Sequence, residues 1–291
     1  MTPPMAVLLN PSSTSSVSGE RVSQVMRDHG VEATVISDVT DIASEARRLV
    51  QSGFRTLVAA GGDGTVNAVA SAIVDTDVVL GVLPLGGLNH FARDLRLPPD
   101  LAGAARVLAT GAARTVDVAE VNGRIFLNNS GLGLYPALVR QREKRRRHGH
   151  SKWVAFFQAA VATLRRFPFL DVKLLAQEHA FERRTPFVFV GNNVYRMEGI
   201  HLGLRDSLSR GELFLGVAQY RMGRWGLARL AVRALAGRIR TERDFDTLCT
   251  KEVLISSRHR LLPVSFDGEI AVLTTPLRYR TRPGALRVIA P

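Results

Sequence analysis

What this 291-residue chain lacks narrows it first. It has one cysteine, Cys249, which excludes an intrachain disulfide framework and any cysteine-based zinc site. That fits a reducing compartment. It has four lysines, Lys144, Lys152, Lys173 and Lys251, so its basic charge is almost all arginine, the side chain suited to bidentate phosphate contacts. It has no long apolar run. The longest helical one, 153–164, is interrupted by Gln158 and falls short of the roughly 20 residues a membrane-spanning helix needs. No basic stretch precedes the short apolar run after Met1, so a signal peptide is not expected. The expectation is a soluble protein. The Walker pattern and the dinucleotide fingerprint are both missing. No His-x-x-x-His pair or carboxylate cluster marks zinc, and no internal repeat is visible.

What is present points to a folded, two-domain molecule. Hydrophobic residues make up 46% of the chain, enough for a core and too many for wholesale disorder. The length suits about two domains of 100–200 residues. Lys and Arg number 39 against 26 Asp and Glu, a formal charge of +13. Residues 1–117 carry net −3 and residues 118–291 net +16. The second half therefore expects an anionic partner, whether membrane surface or phosphate. No nucleic-acid module is recognisable, so nucleic acid is not expected.

The first hundred residues alternate strand and helix. Strands are predicted at 5–10, 33–37, 56–60 and 78–83, and helices at 18–29, 42–52, 66–74, 89–94 and 101–110. Gly30, Gly53 and Gly111 close three of the helices. Such alternation implies a parallel sheet with helices on both faces. After Thr115 the pattern changes. Residues 116–121 and 124–128 flank Asn122-Gly123, a hairpin signature. Strand-like runs follow at 170–176, 185–191, 212–219, 250–257, 263–266 and 270–274, which suggests an antiparallel sandwich. Helical exceptions are expected at 153–166 and about 222–240. The domain boundary is placed near 116.

The sharpest motif is Gly61-Gly62-Asp63-Gly64-Thr65, between a predicted strand and helix. Glycines there permit close backbone approach. The helix N-terminus offers N–H groups and a positive dipole end to a phosphate. The bland reading is a Gly-rich turn with an N-cap Asp. A second loop, Pro84-Leu85-Gly86-Gly87-Leu88-Asn89-His90, follows the next strand. It should emerge at the same sheet edge and complete a phosphate-binding floor. The Asn10-Pro11-Ser12-Ser13 turn would be a third wall. Far downstream, Asp267-Gly268-Glu269 reads by spacing alone as an Asp-Gly hairpin turn.

This ordered set resembles the diacylglycerol kinase catalytic family, the bacterial lipid-kinase and sphingosine-kinase-like group. The carriers are Gly61 to Thr65, the Pro-x-Gly-x-x-Asn-x-Phe-Ala loop ending at Ala92, the hairpin leading to Phe126-Leu127-Asn128-Asn129-Ser130-Gly131-Leu132-Gly133, and Asp267-Gly268-Glu269. The resemblance implies an α/β nucleotide-binding domain at 1–116 and a β-sandwich lipid-substrate domain at 117–284. It also implies that residues 285–291 return to the first domain and that the site lies in the cleft between domains. It implies transfer of the γ-phosphate of ATP, with Mg²⁺, to a lipid hydroxyl. Asp267 is then the first choice of general base. Asp63 is the competing base, or else an organiser of metal and phosphate. Asn10, Gly61, Gly62, Gly64, Thr65, Gly87, Asn89 and Glu269 would contact nucleotide. Asp63, Asp267 and Glu269 are the metal candidates.

Four positions depart from the family pattern. Thr14 replaces a glycine, Ala68 a glutamate, Gly87 a threonine and His90 an aspartate. Each loses a phosphate or metal contact. They keep open a non-catalytic nucleotide- or membrane-binding module. Phosphorylation of a soluble substrate such as NAD is the other alternative. The basic run Arg142, Lys144, Arg145, Arg146 and Arg147 reads either as a solvated loop or as a patch for anionic headgroups. The adjoining 153–167 segment carries aromatics at helical spacing, as an interfacial or a packed helix would. A cytoplasmic protein peripherally bound to membrane is the expectation; a homodimer stays open.

Overall fold

The computed structural model describes residues 4–10, 17–133, 169–176, 179–196, 204–205, 207–218 and 245–291. The basic run at 142–147 and the helices expected at 153–166 and 222–240 lie outside the described residues. The chain divides into two compact units. One comprises Met1–Val118, Ser207–Arg210 and Arg282–Pro291; the other comprises Ala119–Asp206 and Gly211–Thr281.

The first unit is built from β1 (Met5–Leu9), α1 (Gly19–Asp28), β2 (Thr34–Ile36), α2 (Ile42–Gln51), β3 (Thr56–Gly61), α3 (Asp63–Ile73), β4 (Val79–Pro84), α4 (His90–Asp94) and α5 (Leu101–Thr110). Its strands lie in the order β2-β1-β3-β4 and are all parallel. Every residue of β3 is buried, as a strand covered on both faces requires. On one face, Val22, Val25 and Met26 of α1 and Ala104, Ala105 and Leu108 of α5 pack with Val7, Leu9, Val58, Ala60 and Leu83. Three helices begin on side-chain caps: Ser18 accepts from the Arg21 N–H, Asp41 from Ser44 and Asp100 from Gly103. Such caps satisfy the orphan donors of a first turn.

The second unit is an antiparallel sandwich. Its strands are β6 (Arg124–Phe126), β7 (Asn129–Gly133), β8 (Leu170–Ala176), β9 (His179–Thr185), β10 (Phe187–Asn192), β11 (Tyr195–Arg196), β12 (Leu204–Arg205), β13 (Leu213–Ala218), β14 (Phe245–Thr250), β15 (Glu252–Ser257), β16 (Leu261–Phe266) and β17 (Glu269–Thr274). Two longer strands, β5 (Ala112–Val121) and β18 (Leu277–Ala290), carry the chain from one unit into the other. One sheet has the order β14-β13-β10-β7-β16-β17. The opposing layer pairs β15 with β8 and with residues 277–280 of β18, and β8 with β9. Inward residues of both layers form one core, including Phe126, Leu132, Val172, Leu174, Val190, Leu215, Ile255, Val264 and Tyr279.

The expected architecture, parallel α/β followed by an antiparallel sandwich, is the one observed. Three details differ. Helix α3 starts at Asp63, three residues before the predicted 66, because its first turn is the Gly-rich motif and carries no apolar periodicity. Strands β7, β9, β11, β12 and β14 escaped the reading. Of these, β9 and β14 lie at sheet edges, where charged and polar residues replace an apolar run. Strand β18, 14 residues long, is not among the predicted strands and runs through Pro283 and Gly284. The strand changes partner around them: residues 277–280 pair with β15 and residues 287–288 with β4.

Candidate functional site

In the first unit, Asn10 and the loops after β3 and β4 meet at the C-terminal ends of parallel strands. Strand β1 lies between β2 and β3, so the strand order reverses between β1 and β3. A crevice at such a reversal is where open α/β sheets bind ligands. Asn10 follows β1, and its Nδ2 donates to Thr65 Oγ1 at 2.9 Å. The Leu85 N–H donates to the Gly61 carbonyl at 3.0 Å, tying the β4 loop to the β3 loop. A Cβ on Gly86 would lie 2.4 Å from Gly62 Cα, and one on Gly61 2.4 Å from Thr65 Oγ1. The glycines therefore let two backbones and a threonine hydroxyl share one small volume. Gly87 has open space around it.

The acidic residue at the centre of the motif is not the helix cap. Gly62 is the N-cap of α3, with extended backbone and no side-chain capping bond. Asp63 lies within the first turn, half-buried, and its Oδ1 accepts from the Phe91 N–H at 3.2 Å. That bond caps α4 from a different helix. Asn89 adopts a left-handed conformation, φ 50°. Its side chain accepts from the Gly86 N–H and donates to the Gly86 and Pro84 carbonyls. Asn89 thus shapes the loop with its whole amide. The structure brings Asn10, Gly61, Gly62, Asp63, Gly64, Thr65 and Asn89 together around the α3 N-terminus. Such a terminus, without a side-chain cap, suits an anion.

In the second unit, Asp267 and Gly268 are the two central residues of the β16–β17 hairpin, with φ 48° and 87°. Two positive values make a type I′ turn, so the bland reading of this motif is correct. The turn also places a carboxylate. Asp267 Oδ2 accepts from the Leu127 N–H at 2.7 Å, and Oδ1 from the N–H groups of Asn128 at 2.8 Å and Asn129 at 3.2 Å. Glu269 is exposed at the start of β17. Behind residues 127–129 lies a buried polar network that the sequence reading passed over. Asn192, Tyr195 and Arg205 all bond to that stretch. Their only signal in sequence is polarity at the ends of short apolar runs. Elsewhere in the sandwich, Ser130 and Tyr279 share a buried hydrogen bond, and burial pushes the Tyr279 phenol far above its ordinary range.

No cluster of three or more His, Cys, Asp or Glu groups that could hold a metal occurs among the described residues. A Mg²⁺ bound with nucleotide needs no such cage, because one or two carboxylates and the substrate phosphates hold it. Asp63, beside the uncapped helix terminus, fits that smaller requirement. No described helix is long and apolar enough to cross a membrane.

Comparison with known proteins agrees with this fold. Residues 4–121 match the family model for the diacylglycerol kinase catalytic domain. Residues 133–290, more than half of the chain, match the YegS C-terminal NAD kinase beta sandwich-like domain. A diacylglycerol kinase of Bacillus subtilis is 36% identical over 138 residues, 44% of this chain and 45% of that protein. One from Staphylococcus epidermidis is 41% identical over 92 residues, 31% of this chain and 29% of that protein. The matched stretch thus spans less than half the length of these relatives. A crystal structure of a diacylglycerol kinase from Bacillus anthracis superposes with a TM-score of 0.72 at 19% identity, covering 99% of this chain and 97% of that one. A putative diacylglycerol kinase from the same organism gives 0.76, also at 19%. At that identity the superpositions speak for the fold alone. The two family models together account for nearly the whole sequence, and the chain belongs to the diacylglycerol kinase catalytic-domain family.

Proposed function

We propose that this protein transfers the γ-phosphate of Mg·ATP to the hydroxyl of diacylglycerol or a similar lipid. The observation that carries the reading is the floor that Asn10 and the loops after β3 and β4 build around the uncapped α3 terminus. Phosphoryl transfer asks a protein mainly for positioning and charge stabilisation, and this floor supplies both. Backbone N–H groups at 63–65, the Thr65 hydroxyl and the Asn10 amide face the phosphates. Asp63 would hold Mg²⁺, which when bound neutralises charge on the phosphate oxygens. Asp267 takes the proton of the acceptor hydroxyl as its oxygen bonds to the γ-phosphorus. The bond from that phosphorus to the bridging oxygen breaks, and ADP leaves. Glu269 assists at the nucleotide. Residues 1–116 and 285–291 serve the nucleotide, and residues 117–284 serve the lipid.

The test is transfer of labelled phosphate from Mg·ATP to a panel of diacylglycerol, ceramide-like lipid, isoprenoid alcohol and phosphatidyl glycolipid, with NAD as the soluble arm. The NAD arm is included because the second matched domain is described as NAD kinase-like. Label is expected on a lipid, falling about 10²- to 10⁴-fold with Asp267→Asn. Label on NAD and on no lipid would overturn the reading. Lipid labelling untouched by Asp267→Asn would move the base to Asp63.

A further inference from the structure

We propose that Arg205 is a positioning residue for Asp267: its buried guanidinium clamps the far edge of the 127–129 ribbon whose N–H groups hold the Asp267 carboxylate. The inference rests on the reading of Asp267 as the base, and deepens it. Arg205 is 8% exposed. A buried guanidinium is costly unless hydrogen-bonded, and this one is spent on the ribbon. Nη1 donates to the Leu127 carbonyl at 2.6 Å and to the Asn192 carbonyl at 3.1 Å, while Nη2 donates to Asn128 Oδ1 at 3.0 Å. Its Cζ lies 5.6 Å from the centre of the Tyr195 ring.

Peptide planarity makes this a clamp. The Leu127 carbonyl and the Asn128 N–H belong to one rigid amide. The carbonyl side is held by Arg205 and by Asn192 Nδ2 at 2.9 Å. The N–H side is bonded to Asp267 Oδ1. The next amide repeats the arrangement. The Asn128 carbonyl accepts from the Tyr195 hydroxyl at 2.8 Å and from the Asn192 N–H at 2.9 Å. The Asn129 N–H on its other side bonds Asp267. Neither plane can tilt toward or away from the carboxylate without breaking bonds on the opposite edge. Charged donors make such bonds stronger than neutral ones. The planar fork of arginine reaches Leu127 O and Asn128 Oδ1 together, and a lysine ammonium lacks that geometry.

The test uses the full chain with Mg·ATP and diacylglycerol in mixed vesicles, plus amide hydrogen exchange read by NMR. Arg205→Met is expected to lower kcat about 10- to 100-fold, the cost of a misplaced catalytic group, with KM for ATP changed less than about twofold. In an Asp267→Asn background the same change should cost less than about twofold, because the two act as one unit. Exchange at the 127–129 amides should rise about tenfold while the amides of β8 and β15, in the other sheet, keep their wild-type rates. Arg205→Lys should recover only part of both losses. If Arg205→Met does not fold, Tyr195→Phe takes its place, with exchange at Asn129 rising about threefold for one lost hydrogen bond. Unchanged exchange at 127–129, or a loss that multiplies fully with Asp267→Asn, would overturn the proposal. Full turnover by Asp267→Asn would refute the reading of Asp267 as base, and the exchange data would still decide the clamp.

Discussion

At the scale of the residue, the two glycines after β4 have opposite characters. A methyl group at Gly86 would meet the Gly62 backbone at 2.4 Å and the Asn89 amide oxygen at 2.8 Å. Backbone cannot swing aside as a flexible side chain does. Gly86→Ala is expected to cost about 1–3 kcal/mol, the range of overpacking. It should also part the two loops and abolish ATP binding in calorimetry. Gly87→Ala, with nothing within 4 Å, should leave the melting temperature unchanged. In the second unit, Tyr279 gives a pH signature. Its folded phenol titrates above its unfolded one because burial disfavours the phenolate. The stabilisation from keeping it neutral is complete below the unfolded value of about 10 and is lost as pH rises past it. Urea titrations above that pH should show stability falling, and Tyr279→Phe should flatten the fall at the cost of the Ser130 hydrogen bond.

At the scale of the element, α3 stands apart from α1, α2 and α5. Those three begin on Ser18, Asp41 and Asp100 caps, whereas α3 begins on Gly62 with none. Gly62 already has N-cap geometry, φ −92° and ψ −173°, and a Cβ there would make only ordinary contact at 3.5 Å. Gly62→Ser is therefore expected to stabilise the helix by about a few tenths of a kcal/mol. It should also weaken ATP about tenfold, or 1.4 kcal/mol, because the new hydroxyl occupies the donors a phosphate would use. Higher melting temperature with unchanged ATP affinity would refute the role given to this terminus. Much of the element order was legible in sequence. The Gly61 to Thr65 motif, the flanking apolar runs and the Asn122-Gly123 turn each carry a local signature. The partners of the motif were not legible. That Asp63 caps α4, or that Asn89 spends its amide on its own loop, depends on how two loops fold against one another. The 127–129 ribbon was visible only as a family likeness, because backbone N–H groups leave no mark in sequence. Arg205 was missed for a related reason: one buried arginine in a chain with 35 of them looks like surface charge.

At the scale of the whole molecule, the net −3 of residues 1–117 and net +16 of residues 118–291 set up an electrostatic test. Binding to vesicles should require anionic lipid. It should weaken between 0.1 and 1 M salt, as the Debye length falls from about 10 to 3 Å. It should drop when Arg145, Arg146 and Arg147 are neutralised together. Equal binding to neutral vesicles would show that the charge asymmetry has no part in docking.

The late strand β18 has a consequence for how the protein is made. Arg287 and Val288 complete the pairing of β4, yet Arg287 and Asp77 are 210 residues apart in the chain. When the first unit's other strands have left the ribosome, β4 presents an unpaired edge. At about 5–20 residues per second, that edge waits roughly 10–40 s for its partner. Open edges invite pairing with other chains. The nucleotide floor, which hangs from the ends of β1, β3 and β4, is thus finished by residues translated 210 positions after Asp77. A nascent chain stalled before them would hold every nucleotide-loop residue on a sheet that has not closed.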